Sequence, residues 1–372
     1  MSKNNIAKIS IIFLLLLLFL KVDFRLKTEI ECCNDDHDYY MHSETIAIDF
    51  DFDYSNQLSG FETRRNFINS KPSPIGFFGT GLLSAPFLFF GNLLDKLINL
   101  DASLGYSNKV LFYSFSSVFY LFLTFFLLSK IKNLLNINYS NLKLLLIFLG
   151  TGLPYYAFER YSMTHVYDTF AITCLIYFLI YFYKTGEARY IYLISFFNFL
   201  VLLIRWTNYQ IFFLPFIVKG LFFANSKFRL FKSLNFHIMN TIFLILFLVH
   251  TKLIWGIYTI NPRVIYNQHD FVSTYVESLF LNPLHFISNN ILDFIVVLFT
   301  QEFGVFWFSP IIFFGLLFSI LFFIKDKKIS FFLVATFSFY FLIINAWQST
   351  GNAYGFRYVY PLITLSVLLY LY

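Results

Sequence analysis

Charge is scarce in this chain: Asp, Glu, Lys and Arg make up 13% of its 372 residues, about half of what a soluble domain carries. Hydrophobic residues reach 58% and aromatic residues 23%, and the mean hydropathy is +0.66. Apolar stretches recur from Ile11 to the last residue, which excludes a separate water-soluble core and leaves one polytopic membrane domain, 1–372. Cysteine is scarcer still. Cys32 and Cys33 are adjacent and Cys174 sits in an apolar run, so there is neither a disulfide framework nor the C-x-x-C spacing of structural zinc. Also missing are G-x-S-x-G, H-E-x-x-H, a P-loop and a G-x-G-x-x-G turn, which removes the common soluble-enzyme signatures. The net charge of +6 is small and reflects loop asymmetry, not a nucleic-acid footprint.

What is present is a series of apolar runs. The first, 11–20, is preceded by Lys3 and Lys8 and lacks a small-x-small cleavage site, so it reads as an uncleaved span. Nine more follow at 109–129, 143–158, 165–183, 190–205, 208–224, 236–254, 303–324, 330–346 and 357–372, which predicts an all-α helix bundle of about ten spans. Twelve cations fall in alternate short loops: Lys130, Lys132 and Lys143; Lys184 and Arg189; Lys219, Lys227, Arg229 and Lys232; Lys325, Lys327 and Lys328. The positive-inside rule places these loops and the N-terminus in the cytoplasm. Counting 75–94 as a further span would export all twelve and keep only seven inside, so that Pro- and Gly-rich run reads as a surface or re-entrant helix. In this topology Glu187 and Asp326 alone among 21 acidic residues face the cytoplasm. Carboxylates gather on the outer face.

The first outer loop, 22–74, holds Asp35-Asp36-His37-Asp38 and then Asp49-Phe50-Asp51-Phe52-Asp53-Tyr54. An extended backbone over the second run would align its carboxylates on one side. It is not an EF-hand, because Tyr54 stands at the glycine position and Gly60 at the glutamate position. A second outer loop spans 255–302. A second constellation runs from Gly150 to His165 and includes Glu159, with Asp168 a turn further on. Arg205, in Arg-Trp-Thr-Asn, and Arg357, after Trp347, fall at the same outer level. Ionisable groups cost about 2.5–3.5 kcal/mol each at mid-membrane, so such groups face a wet cavity or a partner. Two arginines converging with acids outside point to a bound anionic group.

These features together resemble the bacterial membrane glycosyltransferases of the GT-C class, the group that includes the protein mannosyltransferase and aminoarabinose transferase types. The matching segments are the early acidic motif at 35–40, Asp49-x-Asp51-x-Asp53-Tyr54-x-Asn56, Lys71-Pro72-Ser73-Pro74 before a surface helix, Gly152-Leu-Pro-Tyr-Tyr with Ser162-Met-Thr-His165, Arg205-Trp-Thr-Asn208, and the 347–357 segment followed by Pro361. The resemblance covers most of the chain. It implies a polyprenyl-phosphate sugar donor, a lipid, glycan or protein acceptor at the outer face of the cytoplasmic membrane, and inversion at the anomeric carbon. It also implies that Asp35 or Asp36 takes the acceptor's proton, that Arg205, Arg357 or Lys71 offsets charge on the departing phosphate, and that His165 and Glu159 line the sugar pocket. Asp49 and Asp51 would shape the acceptor side or hold a divalent ion; no cofactor is required. Family members run on past the tenth span, so an end at Tyr372 is expected of either a fragment or a short form. The alternative class is a transporter or flippase for a lipid-linked or anionic solute. That class would carry charges at the bilayer midplane and internal repeats, neither of which the sequence displays.

Overall fold

A computed structural model describes residues 34–58, 72–98, 107–260, 282, 294–302, 304–347 and 356–372. The run at 11–20, Lys71 and most of the 255–302 loop lie outside the described residues. Among those described, the chain is all-α, with no strand. Three of the helices among the described residues are long and apolar enough to cross a membrane: α3 (Asn108–Leu134), α6 (His165–Thr185) and α9 (Leu234–Trp255). Among the described residues, several of the predicted runs are broken or short. The 143–158 run is split into α4 (Asn141–Leu149) and α5 (Leu153–Phe158) at Gly150-Thr-Gly152. The 208–224 run is a 3-10 turn, Trp206–Phe213, followed by α8 (Leu214–Phe222). The remaining helices after α3 are α7 (Ala188–Ile204), α10 (Val305–Phe308), α11 (Pro310–Leu321) and α13 (Ile363–Leu371), all shorter, and α12 (Lys327–Trp347), which has 21 residues.

The bundle is organised around α6, whose apolar window is 83% buried, against 22% for α9 at the periphery. Small and hydroxylated residues let helices approach and bond across an apolar interior. Thr173 on α6 meets Thr364 on α13 at 2.5 Å, and Asn240 on α9 donates to Ser195 on α7 at 2.9 Å. At the break between α4 and α5, the Gly152 amide donates to the Ser309 hydroxyl at 3.1 Å. A side chain at Gly152 would collide with the Tyr360 hydroxyl.

A cap sits on one end of this bundle. On α3, Ser116 bonds Tyr167 near the start of α6 at 2.6 Å. The first eight or so residues of α3 therefore project about 12 Å past that level. Against the projection pack α1 (Asn34–Glu44) and α2 (Phe78–Leu97). Tyr40 meets Tyr113 edge-on at 5.1 Å, and Glu44 pairs with Lys109 at 2.8 Å. Asp95, near the end of α2, accepts from the backbone amides of Asn108 and Lys109 and from the Ser107 hydroxyl at 2.9–3.2 Å. One carboxylate thus satisfies two of the amides at the N-terminus of α3, and the Ser107 hydroxyl accepts from a third, that of Val110.

Contact between α1 and α2 depends on backbone proximity. A Cβ on Gly81 would lie 2.4 Å from the His42 Cβ, and the Ser43 and Ser84 hydroxyls bond at 2.6 Å. The fully buried His42 bridges Tyr54 and the Gly76 carbonyl, both at 2.7 Å. A carbonyl only accepts, so Nε2 is the donor. Burial lowers His42 to about 4, the Gly76 bond opposing; the ring is neutral, with Nδ1 accepting from Tyr54. The outward side of α2 carries exposed Phe89, Phe90, Leu93, Leu94 and Leu97.

At the opposite end the basic loops come together. Lys184 donates to the Leu134 carbonyl at 3.1 Å, Ser226 to that of Tyr183 at 2.9 Å, and Lys325 to the Tyr372 hydroxyl at 3.3 Å. Replacing Gly81 with valine should lower stability by about 1–3 kcal/mol, because backbone rather than a flexible tip blocks the added carbons. Thermal unfolding in detergent micelles, compared with the wild type, measures this.

Candidate functional site

The first turn of α1 is acidic, as suits the positive end of a helix dipole. It lies where three arginines from separate segments arrive. Arg160 follows α5, Arg205 ends α7, and Arg357 opens a 3-10 turn, Arg357–Leu362. Asp36 accepts from Arg160 Nη2 at 2.8 Å. Arg357 lies 3.9 Å from Asp35, and Arg205 lies 3.9 Å from Asp168 on α6. The last two pairs are outside hydrogen-bond distance, so each guanidinium retains donors that its carboxylate does not engage.

The groups form one graded set. Side-chain exposure falls from 39% at Asp35 to 17% at Arg160, 16% at Arg357 and 10% at Arg205, and then to 2% at Asp36 and zero at Asp168. Both Arg205 and Arg357 lie against the Tyr358 ring, 4.9 and 5.2 Å from its centre. Such cation–π contact holds the two like charges against one aromatic ring. Tyr39, on α1, is buried among them. Burial pushes its phenol far above the usual range, Asp35 adds to the shift, and Arg205 and Arg357 oppose it.

Behind Arg205 stands a polar brace. Asn208 donates to Asp168 at 2.7 Å and accepts from Tyr340 of α12 at 2.8 Å, so α6, α12 and the turn after α7 are tied together. His165 Nδ1 lies 3.4 Å from Arg205 Nη1 and is the acceptor, because a guanidinium only donates. The His165 ring packs on Tyr156 at 4.5 Å and Tyr360 at 5.8 Å.

The electrostatics of Asp36 reflect two opposing causes. Burial raises its carboxyl to about 6, and Arg160, by charge and hydrogen bond, pulls the other way. Asp36 is thus ionised at neutral pH yet more basic than an ordinary carboxylate.

The site residues predicted from sequence divide clearly. Asp35, Asp36, His165, Arg205 and Arg357 are brought together. Asp49 and Asp51 are not, because α1 runs on through a π-turn, Thr45–Asp49, which places them about 20 Å along the chain axis from Asp35. The alternating run is not extended, either. Phe50 takes a left-handed conformation at φ 59°, Asp49 is held by the Asn56 and Gln57 amides, and Asp51 accepts from the Asp53 amide at 3.0 Å. Glu159 is exposed; its neighbour Arg160 makes the contact with Asp36. Lys71 lies outside the described residues. Arg160, Asp168, Asn208 and Tyr358 are additions. Arg160 lies within the 159–165 run, Asp168 a turn beyond it, and Asn208 closes the Arg-Trp-Thr-Asn run, so these carried a signal; Tyr358 had none.

Among the described residues, no three His, Cys, Asp or Glu side chains form a group able to hold a metal ion. No family model, curated protein or solved structure matches this chain.

Because Arg205 and Asp168 are buried, replacing Asp168 with alanine should cost about 3–5 kcal/mol by leaving a charge without its counterpart. Adding Arg205→Met to that variant should recover part of the loss. A double-mutant cycle of thermal unfolding midpoints measures the coupling.

Proposed function

We propose that this chain is a membrane glycosyltransferase of the GT-C type, transferring a sugar from a polyprenyl-phosphate donor to a lipid, glycan or protein acceptor outside the cytoplasmic membrane. The observation that carries this reading is the convergence of two α1 carboxylates with three guanidiniums at the end of the bundle opposite the basic loops. In the proposed topology the short and broken helices count as crossings, giving about ten, and the N-terminus is cytoplasmic. The exposed phenylalanines and leucines of α2 then rest in the outer membrane surface.

The chemistry needs a base on one side of the anomeric carbon and an anion clamp on the other. An acceptor hydroxyl forms the new C–O bond as the bond from carbon to phosphate oxygen breaks, which inverts that carbon. The hydroxyl proton passes to the α1 carboxylate pair. Asp36, whose carboxyl burial raises, takes it up, and Asp35, at the exposed rim, meets the acceptor as it arrives. The electron pair of the broken bond leaves with the lipid phosphate, and Arg205 and Arg357 offset its charge with donors held in place by Tyr358, Asp168 and Asn208. His165, against Arg205, would contact the sugar. Glu159, Asp49 and Asp51 take no part in this assignment.

Asp36→Asn should reduce sugar transfer by about 10²–10⁴-fold in membranes while leaving the protein present at normal levels. Transfer retained in both Asp35→Asn and Asp36→Asn would remove the base assignment. The pH profile follows from the direction of the Asp36 shift: the ionised form is needed, so activity falls as pH drops through about 6. Arg160→Gln removes the group that opposes burial, so it should move this acidic limb to higher pH. An unmoved limb would separate Asp36 from the rate.

A further inference from the structure

The basic end of the bundle, which the proposed reaction does not use, holds two adjoining cavities of about 770 and 450 Å³. They share Tyr183, Gly220, Ala224, Asp326 and Ile329 and so form one branched groove. Its floor is a close approach of α8 to α12, where a Cβ on Gly220 would lie 2.7 Å from Ile329. The larger branch is lined by Lys184, Lys227 and Lys325. The smaller is lined by Lys219, Arg229, Lys232 and Lys328.

Seven cations thus face a groove with one acidic side chain, and that one is already engaged. Asp326 caps α12, accepting from the amides of Lys328 and Ile329 at 2.9 and 3.1 Å. Among the described residues, none of the seven forms an ion pair with a carboxylate. Positive-inside bias alone explains cations in loops, but it does not require them to line one cavity.

The smaller branch also has an apolar wall. Phe231, Phe216 and Phe332 stack in a ladder, 4.7 and 5.2 Å apart and nearly parallel. Phe216 and Phe231 are exposed on its outer side. Cations at the head of an aromatic track suit a molecule with an anionic head and a hydrocarbon tail. We infer that this groove binds the phosphate headgroup of an anionic phospholipid, with an acyl chain along the Phe216–Phe231–Phe332 ladder.

Native mass spectrometry of the full chain, released from nanodiscs of mixed phosphatidylglycerol and phosphatidylcholine, tests this without reference to sugar transfer. The wild type should retain phosphatidylglycerol over phosphatidylcholine. The exposed triple variant R229Q/K232Q/K328Q should weaken that retention about tenfold or more, each cation near an anionic headgroup contributing on the order of a fivefold effect. K130Q/K143Q removes two cations of the same end that do not line the groove and should change little; an equal loss there would mean general surface charge and overturn the site. Phe231→Ala should weaken lipid retention but not inorganic phosphate binding. If inorganic phosphate at millimolar concentration displaces the lipid, or if Phe231→Ala leaves retention intact, the occupant is a free anion and the lipid assignment fails.

Discussion

Guanidinium groups in an apolar bundle are tolerated only when their charge is matched, and at one end of this protein that requirement organises the surroundings. Arg160, Arg205 and Arg357 come from segments far apart in sequence, and each is met by a carboxylate from an element other than its own. Asp36 and Asp35 are delivered by α1, and Asp168 by α6. Without α1, two of the three cations would lose their nearest acids. The acidic helix is therefore as much a part of the bundle's electrostatics as of its cap.

The two kinds of pairing have different consequences. Arg160 and Asp36 are in direct hydrogen-bond contact, which anchors the first turn of α1 to the segment after α5. Arg205 and Arg357 are held at longer range from their acids and are steadied by the Tyr358 ring. A cation fixed in position but not consumed by its counter-ion is suited to receiving an anion. The neutral His42, locked between Tyr54 and Gly76, extends the same rigidity to the joint between α1 and α2, so the carboxylates are presented on a stiff support.

Much of this was legible in the sequence because membrane solvation is a strong constraint. Low charge and long apolar runs announce helices, and the rarity of ionisable groups makes Arg205, His165 and Arg357 stand out as residues with partners. Breaks within runs were less visible. Gly150-Thr-Gly152 is apolar enough to pass as continuous helix; Pro154 marks the start of α5, and the Ser309 hydroxyl and the Tyr360 ring, distant in sequence, hold the chain unwound there. The Asp49–Asp53 alternation was misleading for a related reason. Period-two patterning implies a strand only if a neighbouring strand completes the ladder, and here short side-chain-to-backbone bonds gave the backbone a local alternative. Tyr358 could not be singled out among 26 tyrosines, since its role depends on two arginines reaching it from different elements.

The Asp95 clamp has one more implication. Because a carboxylate on α2 closes the amino end of α3 directly, the two helices are locked in register with each other. A single acidic side chain thereby makes any tilt or slide of the surface helix a movement of its 27-residue neighbour as well.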